Sequence, residues 1–143
     1  MIWLPFSSTH KNLEVLANEH IFEIVFEGLQ CLRNIYVGDL SWRDARAWGE
    51  HPAALLHYVA SAEREMVRRG YNPEQRVIRA HVALSRAGWP LAPVPPRWCG
   101  NPRFHLSQRS NLIRVNPEYY ARRMPPTTPL EIPLMWPTER GLT

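Results

Sequence analysis

Apolar residues recur at helical spacing over two long stretches of the chain. Leu13, Leu16, Ala17, Ile24, Leu29 and Leu32 share one face of a segment from 12 to 34, and this period marks a half-buried helix. Leu55, Val59, Ala62 and Met66 repeat the pattern over 52–69, with Pro52 suited to the first turn and Gly70 to the C-terminal stop. Asn72, Pro73, Glu74 and Gln75 have the order of a helix start, which predicts a third helix from 73 to about 87, ending at Gly88. A short fourth helix is predicted over 104–114, with Leu112 and Ile113 facing the core. Between the third and fourth lies "WPLAPVPPRWCGNPR" (89–103), whose five prolines exclude a helix interior or a central strand. After Pro117 the chain is again proline-rich and extended, laid over the core by Leu130, Ile132 and Trp136. No stretch alternates as a half-buried strand should. The pattern predicts an all-α fold: one compact helical domain of about four helices, spanning 1–143, with long proline-stiffened loops.

Charge sharpens that picture. Residues 1–60 carry four Lys+Arg against seven Asp+Glu, net −3, whereas 61–143 carry thirteen against six, net +7. The split implies one basic face rather than a uniform coat. Of the seventeen basic residues only Lys11 is lysine, and arginine forks onto phosphates and base edges and stacks on bases as lysine does not. Arginine interleaved with Trp and Tyr has the composition of a nucleic-acid surface. A genome rich in arginine codons would give the same count. No apolar run is long enough to span a membrane, and the N-terminus lacks a signal peptide's basic and apolar regions, so a cytoplasmic protein is expected. Cys31 and Cys99 are too few for a disulfide framework and read as free thiols, Cys31 buried. The six histidines form no metal-ligand spacing, so no metal and no cofactor are expected.

Two places carry candidate chemistry. Glu19, Glu23 and Glu27 stand at i, i+4 and i+8 of the first helix, where like charges repel unless a basic partner faces them or one has a task. Glu27 lies in the most apolar part, "IVFEGLQCL", with Gln30 one turn on; apolar surroundings suit a carboxylate to acid or base chemistry, and a structural pair with an arginine is the plainer alternative. The second place is "HLSQRSNLIRVNPEYY" (105–120). Neutral amides read base edges and hydroxyls bind phosphate oxygens, which points Ser107, Ser110, Asn111 and Arg114, turned away from the core, at a hydrogen-bonded ligand; a solvated helix face is the alternative. Tyr119, Tyr120 and Trp136 offer stacking surfaces, or core packing.

In order along nearly the whole chain, "WLPF" (3–6), "EGLQCL" (27–32), "SWRDARAW" (41–48), "HLSQRSNLIRVNPEYY" (105–120) and "EIPLMWP" (131–137) resemble the motifs of a family of small bacterial and phage proteins related to pyrimidine-dimer DNA glycosylases. The RSNL…PEYY segment is the most specific part. "HIFEIVFE" is also similar to the first helix of the phage pyrimidine-dimer glycosylase, where a catalytic glutamate follows a histidine by seven residues, as Glu27 follows His20. Three departures stand out. That enzyme uses an N-terminal amine freed by Met removal, whereas Ile2 favours retention of Met1. Glu19 and Glu23 occupy positions where the family has lysines, and Gln108 stands where it commonly has a second histidine.

The resemblance implies a monomeric enzyme acting on DNA, a monofunctional glycosylase that removes a damaged or hypermodified pyrimidine, such as a modified base of phage DNA in antiviral defence, and leaves an abasic site. Glu27 would position water or stabilise the sugar cation, with His105 and Gln108 holding the base. Gln30, Trp42, Asn111, Tyr120 and Trp136 would form the base pocket, and Arg43, Ser107, Arg109, Ser110 and Arg114 would grip flanking phosphates. A DNA-binding module that recognises such a base without cutting, and a nucleotide- or base-processing enzyme acting on small molecules, are the alternatives.

Overall fold

The first predicted helix is two helices. A computed structural model describes residues 1–72, 79–80, 83, 85–88, 92–138 and 141–142. In it α1 spans Thr9–Val15, capped by the Ser8 hydroxyl, and α2 spans Asn18–Val37. Leu16 and Ala17 between them are extended, with ψ of 136° and 156°. Their backbone groups are satisfied from afar. The Arg69 guanidinium donates to the carbonyls of Leu13 (2.7 Å) and Leu16 (2.8 Å), and the Ala17 N–H donates to the Tyr120 hydroxyl at 2.8 Å. A kink whose orphaned groups have such partners no longer pays for broken helical bonds. α2 ends at Gly38, whose φ of 78° only glycine adopts without strain.

Residues Arg43–Trp48 form a short helix, α3, and α4 spans Pro52–Arg68 with its proline in the first turn, close to the predicted bounds. Gly70 follows with φ 94°, as a C-terminal stop should. Of the predicted third helix, residues 79, 80, 83, 85 and 86 are helical and Gly88 has φ 72°; its start at 73–75 lies outside the described residues. A single 3-10 turn, Arg97–Gly100, leads into α5, Pro102–Val115, with Asn101 accepting the Arg103 N–H at 2.9 Å. A four-residue helix, α6, spans Pro117–Tyr120. Near the C-terminus β1 (Pro137–Thr138) pairs antiparallel with β2 (Gly141–Leu142). Two residues a side are too few to leave a periodic signal. The fold is all-α.

The central contact is α2 against α4. It is close because Gly28 has no side chain: a Cβ there would stand 2.3 Å from Cγ2 of Val59. Ile21, Ile24, Cys31, Leu55, Val59, Phe104, Leu112 and Tyr120 fill one buried cluster. Beneath the proline-rich loop, Trp48, Trp98 and Phe104 stack edge to face at centroid distances of 5.0 and 5.1 Å. Ile132 and Trp136 are partly buried and Leu130 is 55% exposed, but the residue of this segment that packs on the core cluster is Met135, not one of the three expected. Among the described residues no helix is long and apolar enough to cross a membrane.

Candidate functional site

Each glutamate of the α2 row faces a donor. Glu19 accepts from the Asn116 amide at 3.3 Å, and Glu23 from the Trp3 indole N–H at 2.6 Å. Glu27 is in contact with the main-chain amine of Met1. These partners explain how three like charges share one helix face. Of the three, Glu27 keeps 39% of its side chain open while meeting a cation. His20, two turns before Glu27, is buried between Trp3 and Tyr120 at ring-centroid distances of 4.9 and 5.4 Å. Burial holds its pKa below the ordinary histidine value, against the opposing pull of Glu23 and Glu19.

The amine reaches Glu27 because side chains hold residues 1–6 in place. Gln108 accepts the Leu4 N–H at 3.1 Å and its amide points at the Met1 sulfur, 3.5 Å away. His105 sets Nδ1 2.7 Å from the Leu4 carbonyl and Nε2 2.6 Å from that of Cys99. Arg109 donates to the Pro5 carbonyl at 2.9 Å and stacks over Phe6, and Tyr58 donates to the Trp3 carbonyl at 2.5 Å. Burial pulls the Arg109 pKa down.

The far part of the same helix holds the C-terminal segment. Ser110 donates to the Pro129 carbonyl at 2.6 Å, and Arg114 to those of Leu130 and Ile132, each at 2.8 Å. Ser107 donates to the Phe104 carbonyl (2.8 Å) and accepts the Met135 N–H (3.2 Å). The polar face expected to meet DNA is therefore turned inward, and this corrects the roles anticipated for several residues. His105, Ser107, Gln108 and Ser110 are buried and engaged with backbone. Both ring nitrogens of His105 are occupied. The physical reason is proline: residues 3–6 and 125–136 form no strand and their prolines lack an N–H, so their carbonyls take side-chain donors. Tyr120 is fully buried with its hydroxyl between Ala17 and His20, so no face of its ring is open to a base.

The other anticipated residues lie nearer the surface. Asn111 is half-buried and accepts weakly from Arg114 at 3.4 Å. Gln30 donates to Asn34 at 3.0 Å and lines a depression with Phe26, Leu29, Arg33 and Ala80, which Glu27 does not line. Trp42, 46% exposed, precedes α3, and the exposed Arg43 lies over the Trp136 ring at 4.8 Å. Arg43 and Trp136 thus pair near where the C-terminal segment meets α3, and Trp42 is the chain neighbour of Arg43.

Sequence reasoning passed over Asp44. It lies in the first turn of α3, which packs on α2, and burial raises its pKa while the Met1 amine lowers it. Cys31 and Cys99 are free thiols, both pushed up to about 12 by burial, so neither is a nucleophile at neutral pH. Among the described residues no three His, Cys, Asp or Glu side chains are grouped to hold a metal ion. The arrangement is a carboxylate beside an amine, on the helix that also carries His20 between the Trp3 and Tyr120 rings.

The sequence profile of the pyrimidine dimer DNA glycosylase family matches residues 1–79. The chain belongs to that family. No curated protein and no solved structure matches it. The matched segment includes Met1, His20, Glu27 and Asp44, and ends before α5.

Proposed function

We propose that the protein is a DNA glycosylase that excises a damaged or hypermodified pyrimidine, with Glu27 as its catalytic carboxylate. The observation that carries this reading is the contact between Glu27 and the Met1 amine on a partly open face of α2. As the bond from the base to C1′ breaks, the base leaves with the electron pair and the sugar becomes cationic. A carboxylate at that point stabilises the cation and takes a proton from the attacking water. Trp42, Arg43 and Trp136 are suited to receive the unstacked nucleotide and an adjacent phosphate.

The same contact favours a second reading of the chemistry over simple hydrolysis. With Met1 carrying the free amine, its nitrogen can replace water at C1′. The sugar ring then opens to an imine, and loss of a proton from C2′ expels the 3′ phosphate.

The test is release of base from undamaged, ultraviolet-irradiated, uracil-containing and phage-modified DNA, with intact and Glu27→Gln protein. Glycosylase action predicts abasic sites in one substrate and a loss of about 100-fold or more in the variant. Borohydride during the reaction separates the two readings, since it traps a covalent protein–DNA product only with the amine route. Salt-sensitive binding with no base released from any substrate would favour a non-catalytic reader of modified DNA.

A further inference from the structure

A cleft of about 460 Å³ lies between the N-terminal segment, α4 and the proline-rich loop, and neither Met1 nor Glu27 lines it. Its volume is that of a small-molecule site. Phe6, Trp48, Pro95 and Pro96 give it flat apolar walls, and the exposed Ser7, Thr9 and His57 give it a polar edge. No aspartate, glutamate, lysine or arginine is among the lining residues, so a charged ligand finds no counter-charge there.

Asn12 is the lining residue that packing does not explain. Its side chain is 1% exposed, and Oδ1 accepts the Phe6 N–H at 2.6 Å, which fixes which way the amide points. Nδ2 is left without a hydrogen-bond partner. The Tyr58 hydroxyl on the same wall, near enough to be influenced by the Asn12 amide, gives its proton to the Trp3 carbonyl and does not meet Nδ2 at bonding geometry. His105, also on this wall, has both ring nitrogens on main-chain carbonyls. A buried donor without an acceptor is expensive, so a ligand that brings an acceptor to it is favoured over an apolar one of the same shape.

We propose that this cleft is a second ligand site, separate from the Glu27 face, for a free neutral base or nucleoside that presents a ring carbonyl to Nδ2 of Asn12. The flat walls take the ring, and the hydroxyls at the edge take a sugar. A nucleotide gains nothing, because no cation lines the cleft to meet its phosphate. Pyrimidines fit this description, and excision as proposed above sets one free; only the choice of pyrimidine among such rings rests on that reading.

The experiment follows proton–nitrogen spectra of the full chain, with thermal melting in parallel, as thymidine or thymidine 5′-monophosphate is added to about 10 mM, enough to detect a weak ligand. Thymidine is expected to shift the Asn12 side-chain amide and the Trp48 indole together, to saturation, and the monophosphate to bind no more tightly. Asn12→Asp keeps the acceptor for the Phe6 N–H but turns the free donor into an acceptor, so thymidine affinity falls about tenfold or more. Ala54→Leu fills the cleft from α4 without removing a side-chain hydrogen bond, and it gives a similar loss; it carries the comparison if Asn12→Asp does not fold. Glu27→Gln binds thymidine as the intact protein does. Unmoved Asn12 and Trp48 resonances overturn the proposal, as does tighter binding of the monophosphate. Thymidine binding lost in Glu27→Gln but kept in Ala54→Leu places the ligand at the Glu27 face and also overturns it. Saturable thymidine binding in a protein that releases no base from any DNA supports the cleft and removes only the reading of Glu27.

Discussion

The Tyr120 hydroxyl lies 2.5 Å from Nδ1 of His20, a hundred residues earlier, while it accepts the Ala17 N–H. Burial keeps the phenol protonated and the imidazole neutral. The hydroxyl therefore donates to Nδ1, and the ring proton belongs on Nε2, facing Glu19.

This pair makes stability fall with acid. A histidine whose folded pKa is depressed binds fewer protons folded than unfolded, so stability rises with pH through the window between the two values. As the pH drops below about 6.5 the unfolded chain gains the proton first and stability declines. Urea unfolding at pH 7.5 and pH 5.5 should show the loss, and His20→Gln should reduce it. Tyr120→Phe is expected to destabilise by about 1–3 kcal/mol, as it leaves the Ala17 N–H unpaired.

The Arg69 clamp on the kink between α1 and α2 is oriented by Glu65, which accepts from its Nε at 2.8 Å. Arg68 and Arg69 hold the Glu65 carboxyl at about 2 despite burial. A depressed carboxyl stabilises the fold above its ordinary pKa, and that contribution is lost as the pH falls from about 4.5 to its folded value. Arg69→Met should destabilise by about 2–4 kcal/mol through the unpaired carbonyls of Leu13 and Leu16. Chemical denaturation measures it, with faster amide exchange at residues 14–20 as the local signature.

Gly28→Ala tests the crossing of α2 and α4. The new methyl meets Val59, itself fully buried, so the helices must separate. The expected loss is about 1–3 kcal/mol, read from the urea midpoint. Because Glu27 precedes this glycine, base release should fall by more than the folded fraction does.

Salt dependence separates arginines that meet phosphate from those that meet the chain. Replacing Arg43 with Ala should reduce the slope of log affinity against log salt by about one. Ser110→Ala should leave the slope unchanged, since that hydroxyl serves the Pro129 carbonyl. Arg114→Ala should free the segment it holds, giving protease cleavage between 125 and 136.

The helices were legible where pattern and punctuation agreed. Pro52 and Gly70 bracket α4, and Asn101-Pro102 opens α5 two residues before the expected start. The kink at Leu16 was not legible, because its partners, Arg69 and Tyr120, are far along the chain and show no periodic signal. At the site, Glu27 stood out as a charge in an apolar run, and its acidic row did require donors. The donors themselves, an indole, an amide and a main-chain amine, have no motif. The α5 face was recognised as hydrogen-bonding, but sequence cannot distinguish an external ligand from the protein's own carbonyls. A cue was present in the two proline-rich segments, whose unpaired carbonyls need donors from somewhere. Asp44 was missed because its burial follows from how α3 packs, not from its neighbours in "SWRDARAW".

The arginines that bind backbone have a further consequence. Arg109 and Arg114 direct guanidinium hydrogen bonds to main-chain carbonyls, but carbonyls are neutral and those two positive charges remain. A polyanion at a distance responds to charge, whereas a bound phosphate also needs a free N–H. The basic half of the chain can thus draw DNA in quickly while holding it by fewer points than its composition implies, which favours brief visits to many sites over long residence at one.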